Sequence, residues 1–393
     1  MITSVHISTL HQTFDVRIFH KECKTLAQAG YNVILLNAAE CTAQKKLDSV
    51  TVYQLAKQTS QSKLLIKLHY FYGILQKALS LDAQLYHLHE PELLLMALLL
   101  KLLRPKSKII YDVHEDTPKE AISLNKESPI KGRLKCLMWT ALERSSVLYI
   151  DAFICATKTI SQNFPSHKSA VVHNFPRLEE NYSLAYSLPK PRERSYYQRA
   201  SQFVYAGGLT HIRGIAEMVE AIGKLPPYLD ATLVLMGNFF PKAWQSELEQ
   251  MTGWQAVNYM GWQSRQSVMS ELKSARAGLV VLHPEQIYID SIPNKLFEYM
   301  AAGLPVIASN FPWWQKLIVE LDCGLVVNPL DSQDIADAMQ YLLEHPDIAE
   351  KMGHNGRQAV KNRFNWEADS KQLLDLYHLL LSGEKSSKVS EIP

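Results

Sequence analysis

Residues 277–310 read AGLVVLHPEQIYIDSIPNKLFEYMAAGLPVIASN. A short β-branched run, GLVVLH, gives way to a polar loop, then to an amphipathic stretch from Pro293, then to a second apolar run, PVIAS. Strand, loop, helix, strand is a βαβ unit, and it implies a parallel sheet covered by helices. Ser291 near the N-cap and Pro293 in the first turn are helix-start signals. A helix opening there presents free N–H groups and the positive end of its dipole, which suit an anionic diphosphate. Asn294 and Glu298 lie four apart on one face with Lys295 beside them. A cation at the helix start can meet phosphate, and a carboxylate deeper in can accept hydrogen bonds from ribose hydroxyls.

The same rhythm extends in both directions. Upstream, SVHIS, a helical stretch over 14–29, YNVILL, QLYHLH, a helix over 92–103, KIIYDVH, a helix around 134–149, DAFICAT and AVVHNF alternate. Residues 176–201, rich in Pro, Tyr and charge, break the pattern and read as an interdomain linker. The alternation restarts with QFVYAGG and ATLVLMG and ends in three helical stretches, over 331–343, 346–362 and 366–381. Two successive α/β domains are therefore expected, with ligand held in a cleft at the C-terminal edges of the sheets. The boundaries expected are 1–187 and 188–365, a helix over 366–382, and a disordered tail over 383–393.

A chain of 393 residues with 47% hydrophobic and 20% charged residues suits two globular domains of ordinary composition. Five scattered cysteines without a C-x-x-C pair argue against a disulfide framework or structural zinc. The opening residues lack an export-signal pattern, and the most apolar run, 93–100, is too short to span a bilayer. A cytoplasmic protein is expected, with peripheral contact on the inner membrane face through its N-terminal domain left open. Residues 1–190 hold 23 Lys and Arg against 16 Asp and Glu, while the remainder hold 18 against 23. A basic first half fits an anionic headgroup, a phosphorylated lipid carrier or an acidic saccharide, and equally a plain solvated surface. The segment 131–144, with Leu134, Leu137, Met138 and Trp139, reads either as a membrane-surface helix or as a core-facing one.

Asp290 and Glu298 stand eight apart, matching the two acidic positions of an E-x7-E motif. The following EYMAAGLPVIAS is similar to the corresponding segment of retaining GT-B glycosyltransferases of family 4, the group 1 glycosyltransferases. FDVRIFHKECKTLAQAGYNVILL, HLHEPELL, YDVHED, VVHNFP, YAGGLTHIRGI and NGRQAVKNRFNWEADSKQLLDLY resemble further family segments in the right order. The resemblance implies the GT-B fold: two Rossmann-like domains with parallel sheets facing a cleft, and a C-terminal helix crossing back to the first. It implies that Glu298 binds the donor ribose, that Arg213 holds the diphosphate, and that His114 lies near donor sugar and acceptor. Gly207 and Gly208 let backbone approach the nucleotide, as a Gly-Gly pair after a strand also suggests physically. Gly237, Asn294, Lys295 and Leu296 complete the donor set. Asp15, Arg17, Glu92 and Glu115 are the acceptor-side candidates.

Two positions depart from the family pattern. Asp290 replaces Glu at the first acidic position, and Gly208 stands where the family has Arg, so Lys295 is the candidate for the missing cation. The expected reaction moves a sugar from a UDP- or GDP-linked donor to a saccharide or lipid-linked acceptor, with retention, in surface polysaccharide synthesis. The leaving diphosphate is stabilised by Arg213, Lys295 and the helix dipole, so no metal or other cofactor is required. His87, His89 and Glu90 resemble a metal cluster, yet alternate strand positions without a further ligand are weak support for one. The alternatives are a nucleotide-sugar 2-epimerase, which needs no acceptor, and a non-catalytic two-lobed sugar-binding protein. A near-neutral balance without a basic stripe argues against nucleic-acid binding.

Overall fold

The computed structural model describes residues 1–39, 43–56, 63–123, 125, 128–178 and 196–382. Most of the linker read over 176–201, and the tail 383–393, lie outside the described residues. The chain divides into two units, Met1–Asn174 with the chain from Trp366, and Phe175–Asn365. Phe175 to Leu178, counted with the first domain in the sequence, thus belong with the second unit.

The first unit is built on an eight-stranded sheet. Its strands are β1 (Thr3–Ser8), β2 (Asn32–Ala39), β3 (Ala43–Leu47), β4 (Val50–Ala56), β5 (Leu85–Leu88), β6 (Lys108–Val113), β7 (Ala152–Cys155) and β8 (Ser169–Val171). The order is β3-β4-β2-β1-β5-β6-β7-β8. Seven strands are parallel, as expected, and the edge strand β3 adds one antiparallel pairing with β4. The hairpin turns at Asp48 and Ser49, both with positive φ, as tight hairpins require. Exposed Lys45 and Lys46 on β3 discourage pairing with another chain. The helix Trp366–Ser382 closes this unit: Trp366, Leu373 and Tyr377 are buried with Ile18, Phe19 and Leu26, and the Trp366 indole donates to Thr25 Oγ1 at 2.9 Å.

The second unit is a six-stranded, wholly parallel sheet. Its strands are β9 (Gln202–Ala206), β10 (Thr232–Met236), β11 (Val257–Gly261), β12 (Ala277–Val280), β13 (Val306–Ser309) and β14 (Gly324–Val327), in the order β11-β10-β9-β12-β13-β14. Apolar clusters cover both faces, which is why its strands are apolar runs rather than alternations. In each unit one central strand has neighbours leading in opposite directions, β1 between β2 and β5, and β9 between β10 and β12. Open α/β sheets hold ligands beyond the strand ends at such a switch point.

Candidate functional site

In the second unit the switch point is built from Gly207, Gly208, Arg213 and the helix Asn294–Ala301. Gly207 takes φ +145 directly after β9, a conformation L-residues avoid, and a Cβ there would meet Lys295 Nζ at 2.7 Å. Gly237, at the end of β10 with φ +141, packs its α-carbon against the Gly207 carbonyl so closely that no side chain fits. The two glycines therefore let strand ends, and the Lys295 side chain, crowd one spot. A Cβ on Gly208 would come within 3.1 Å of Arg213 Nη1, and that guanidinium donates to the Gly208 carbonyl at 3.3 Å. The absence of a side chain at Gly208 thereby makes room for Arg213.

Two core contacts fix the helix Asn294–Ala301 over this loop. Gly278 in β12 leaves space for the Tyr299 ring, and the Tyr299 hydroxyl accepts from the Ala206 amide at 3.0 Å. The Trp314 indole donates to the Ser291 carbonyl at 2.9 Å. The helix start differs from the sequence reading by one step. Pro293 is itself the N-cap, without a side-chain cap, and Ser291 Oγ instead donates back to Tyr288 O at 2.9 Å. The Leu296 amide donates to the Pro293 carbonyl at 3.1 Å, so the N–H groups left without an intrahelical acceptor or a side-chain cap at this helix start are those of Asn294 and Lys295.

Lys295 is partly buried, with its ammonium 5.4 Å from the centre of the Tyr205 ring. Burial, joined by the Arg213 charge, pushes its pKa down to about 8. Burial opposes the Arg213 charge too, but the Tyr205 and Tyr288 hydroxyls raise its pKa. Two cations thus converge on a glycine loop and a helix start, an arrangement that favours an anion. Glu298 is partly buried and forms a 2.6 Å ion pair with Arg265, the first residue of helix Arg265–Ser274. The sequence reading missed Arg265 because its proximity to Glu298 depends on where β11 ends. Asn294 and Asp290 are exposed; Asp290 ends the short helix Gln286–Ile289 and accepts weakly from Gln286 at 3.4 Å. The Leu296 side chain is fully buried in the core, so this candidate has only its backbone to present to a donor.

The first unit carries a second constellation at the ends of β1, β5 and β6. His114 binds Asp112 Oδ2 through Nε2 at 2.7 Å. Arg17 holds both Asp112 oxygens, at 2.9 and 2.6 Å, and donates to Val172 O at 2.9 Å. Arg17 is only 3% exposed, which corrects its assignment to the acceptor: it orients Asp112 instead. Asp15 caps the turn that carries Arg17, accepting from the Arg17 and Ile18 amides at 2.8 and 3.0 Å. That turn, Val16–Cys23, is a π-helix, a rare form enriched at functional sites, where an α-helix was expected. Burial pushes the Asp112 carboxyl up, but Arg17 and His114 outweigh it and hold it well below the carboxylate range. Glu22, buried beside them, is pushed well above that range by burial and by Asp112. Glu92 and Glu115 are exposed. The sequence reading passed over His11, whose ring centroid lies 4.9 Å from that of His114 and whose Nδ1 lies 2.8 Å from Glu90. Glu90 also takes the Ser8 hydroxyl at 2.6 Å and the Thr9 and Leu10 amides at 3.1 and 3.2 Å, so it anchors the loop after β1.

His6, Glu22, His87 and His89 have donor atoms within 4.8 Å of one another. The set does not fit a metal. His6 Nδ1 bonds His89 Nε2 at 3.0 Å, His87 Nδ1 bonds the Tyr377 hydroxyl at 2.9 Å, and His89 Nδ1 bonds Asp112 at 3.2 Å. The His87 and His89 rings stack, 22° apart, instead of converging, and the Arg17 guanidinium lies 3.1 Å from Glu22. Burial lowers the pKa of all three imidazoles, so they are neutral members of a buried hydrogen-bond network.

The sucrose-phosphate synthase of Thermosynechococcus elongatus superposes with a TM-score of 0.77 at 17% identity, over 98% of this chain and all of that one. The Anabaena protein Alr3699/HepE, solved with UDP-glucose, superposes with a TM-score of 0.68 at 13% identity, over 96% of this chain and all of that one. The fold is GT-B. Within that fold, residues 191–359 match the model of the family described as "Glycosyl transferases group 1". Among curated proteins, the N-acetyl-alpha-D-glucosaminyl L-malate synthase of Bacillus anthracis is 21% identical over 65% of this chain and 65% of its own length. The chain spans about half the length of further curated relatives it matches. No helix among the described residues is long and apolar enough to cross a membrane.

Proposed function

We propose that this chain is a glycosyltransferase that takes a sugar from a UDP- or GDP-linked donor and passes it, with retention, to a saccharide or lipid-linked saccharide. The observation that carries this reading is the meeting of Lys295 and Arg213 over the Gly207–Gly208 loop. A partly buried ammonium whose proton is already loosened by its surroundings gains most when a diphosphate arrives. The match of residues 191–359 to group 1 glycosyltransferases and the likeness to a protein solved with UDP-glucose support the same donor class.

In this reading the diphosphate lies against the start of helix Asn294–Ala301, with Arg213 and Lys295 neutralising the charge that develops as the sugar leaves. Glu298 accepts from the ribose hydroxyls, and Arg265 holds its carboxylate in place. His114, oriented by the buried Asp112, is the group assigned to the acceptor side. Two cations and a helix dipole supply the charge stabilisation, so the reaction runs without a metal. Retention follows a front-face course in which the leaving phosphate oxygen takes the acceptor proton. A cytoplasmic role in surface polysaccharide synthesis fits such donors and acceptors.

Thermal-shift titration with UDP, GDP and their sugars tests the donor site, since a ligand that binds only the folded form raises the midpoint. One nucleotide series is expected to raise it, and Glu298→Ala to weaken that ligand about tenfold or more by removing charge-assisted hydrogen bonds. No shift with either series would sink the reading. Anomeric configuration of the product, followed by NMR, tests retention; an inverted product rules it out. Product formation only in the presence of acceptor separates transfer from epimerisation.

A further inference from the structure

We infer that the helix Pro129–Ser146 in the first unit docks on an anionic lipid bilayer. Only Gly132, Glu143 and Ser146 of this helix are buried. On the opposite side Ile130, Leu134 and Leu137 are 75, 63 and 66% exposed, and Ala141 follows them into solvent. Their spacing of four, three and four places them in one line along the helix. Met138 borders the line, and Leu148 extends it just past the helix end. Single exposed leucines are ordinary on a protein surface, whereas a continuous stripe marks a site of association.

Charge selects the partner. Every charged side chain this helix exposes is a cation: Lys131, Arg133, Lys135 and Arg144. The one acid, Glu143, is on the buried side. An apolar line edged by Lys and Arg lies in the bilayer interface, with the apolar side chains among the acyl chains and the cations among lipid phosphates. Two copies of this chain meeting through the same face would bring like charges together, which disfavours self-association.

Co-sedimentation of the full chain with vesicles tests the inference at low ionic strength. Vesicles of phosphatidylcholine alone are compared with vesicles of phosphatidylcholine and phosphatidylglycerol in equal parts. Each surface cation contributes about a fivefold gain on an anionic membrane, so the four together give an expected preference of roughly several hundredfold for the mixed vesicles. Leu134→Ser with Leu137→Ser is expected to cut that binding about tenfold or more without lowering the melting temperature, because both side chains are already in water. Arg133→Gln with Lys135→Gln is expected to shrink the preference between the two vesicles. The inference is overturned if the chain does not pellet with mixed vesicles, or pellets equally with both. It is also overturned if the chain forms a concentration-dependent dimer that the serine variants dissolve. Nucleotide binding is a separate readout, so failure here leaves the donor site untouched.

Discussion

At the scale of single residues, Lys295 is the position where chemistry and stability pull in opposite directions. Its ammonium lies beside Arg213, with burial as the main reason its pKa falls to about 8. In the unfolded chain a lysine titrates near ~10.4. Between those two values the unfolded state binds more protons, so this group makes stability rise with pH through that window and lowers stability below it. Lys295→Met is therefore expected to raise the melting temperature at neutral pH, by about 1–3 kcal/mol of stability, while weakening diphosphate binding. Calorimetry without ligand and titration with nucleotide check the two halves. The same proton predicts that donor affinity of the native chain declines as pH rises above about 8, a decline absent in Lys295→Met. A flat native profile between neutral and alkaline pH would count against Lys295 as the second cation.

At the scale of elements, the glycine loop after β9 and the π-helix after β1 show how backbone form positions side chains. Gly207 sits at φ +145 with Lys295 in the volume a side chain would fill. Gly207→Val is expected to displace Lys295, strain the backbone and reduce donor affinity about tenfold or more, with a stability loss of about 1–3 kcal/mol. Nucleotide titration and denaturant unfolding measure both. The π-helix Val16–Cys23 brings Arg17 and Glu22 onto one buried acid, Asp112. The sequence pattern showed an amphipathic stretch there but not its looser winding, because apolar spacing alone does not distinguish the two ladders. The hairpin of β3 and β4 and the helices Lys63–Ser80 and Pro312–Leu321 also went unread. Periodicity was a sufficient guide only where loops were short and turn residues unambiguous.

At the scale of the whole molecule, the chain leaves its second unit at Asn365 and completes its first with helix Trp366–Ser382. Trp366, Leu373 and Tyr377 fill the core of the first unit, and Tyr377 joins Ser4 and His87 in a buried hydrogen-bond group. Ending the chain after Asn365 would expose that core and leave those polar groups unpaired. Such a truncation is expected to lose the cooperative unfolding of the first unit, which circular dichroism on heating detects.

The sequence alone determined the two α/β halves and the order of most strands and helices, and it nominated Gly207, Gly208, Arg213, Lys295 and Glu298 as candidates. Each of these is written locally, in apolar spacing, turn residues and a motif only ten to thirty residues long. Tertiary structure alone decided which of the candidate side chains are available. It placed Leu296 in the core, turned Arg17 into a buried partner of Asp112, and brought Arg265 to Glu298 and His11 to His114. Those outcomes depend on which strands lie side by side and which helix face meets the sheet, and residues far apart in the chain carry no local mark of that.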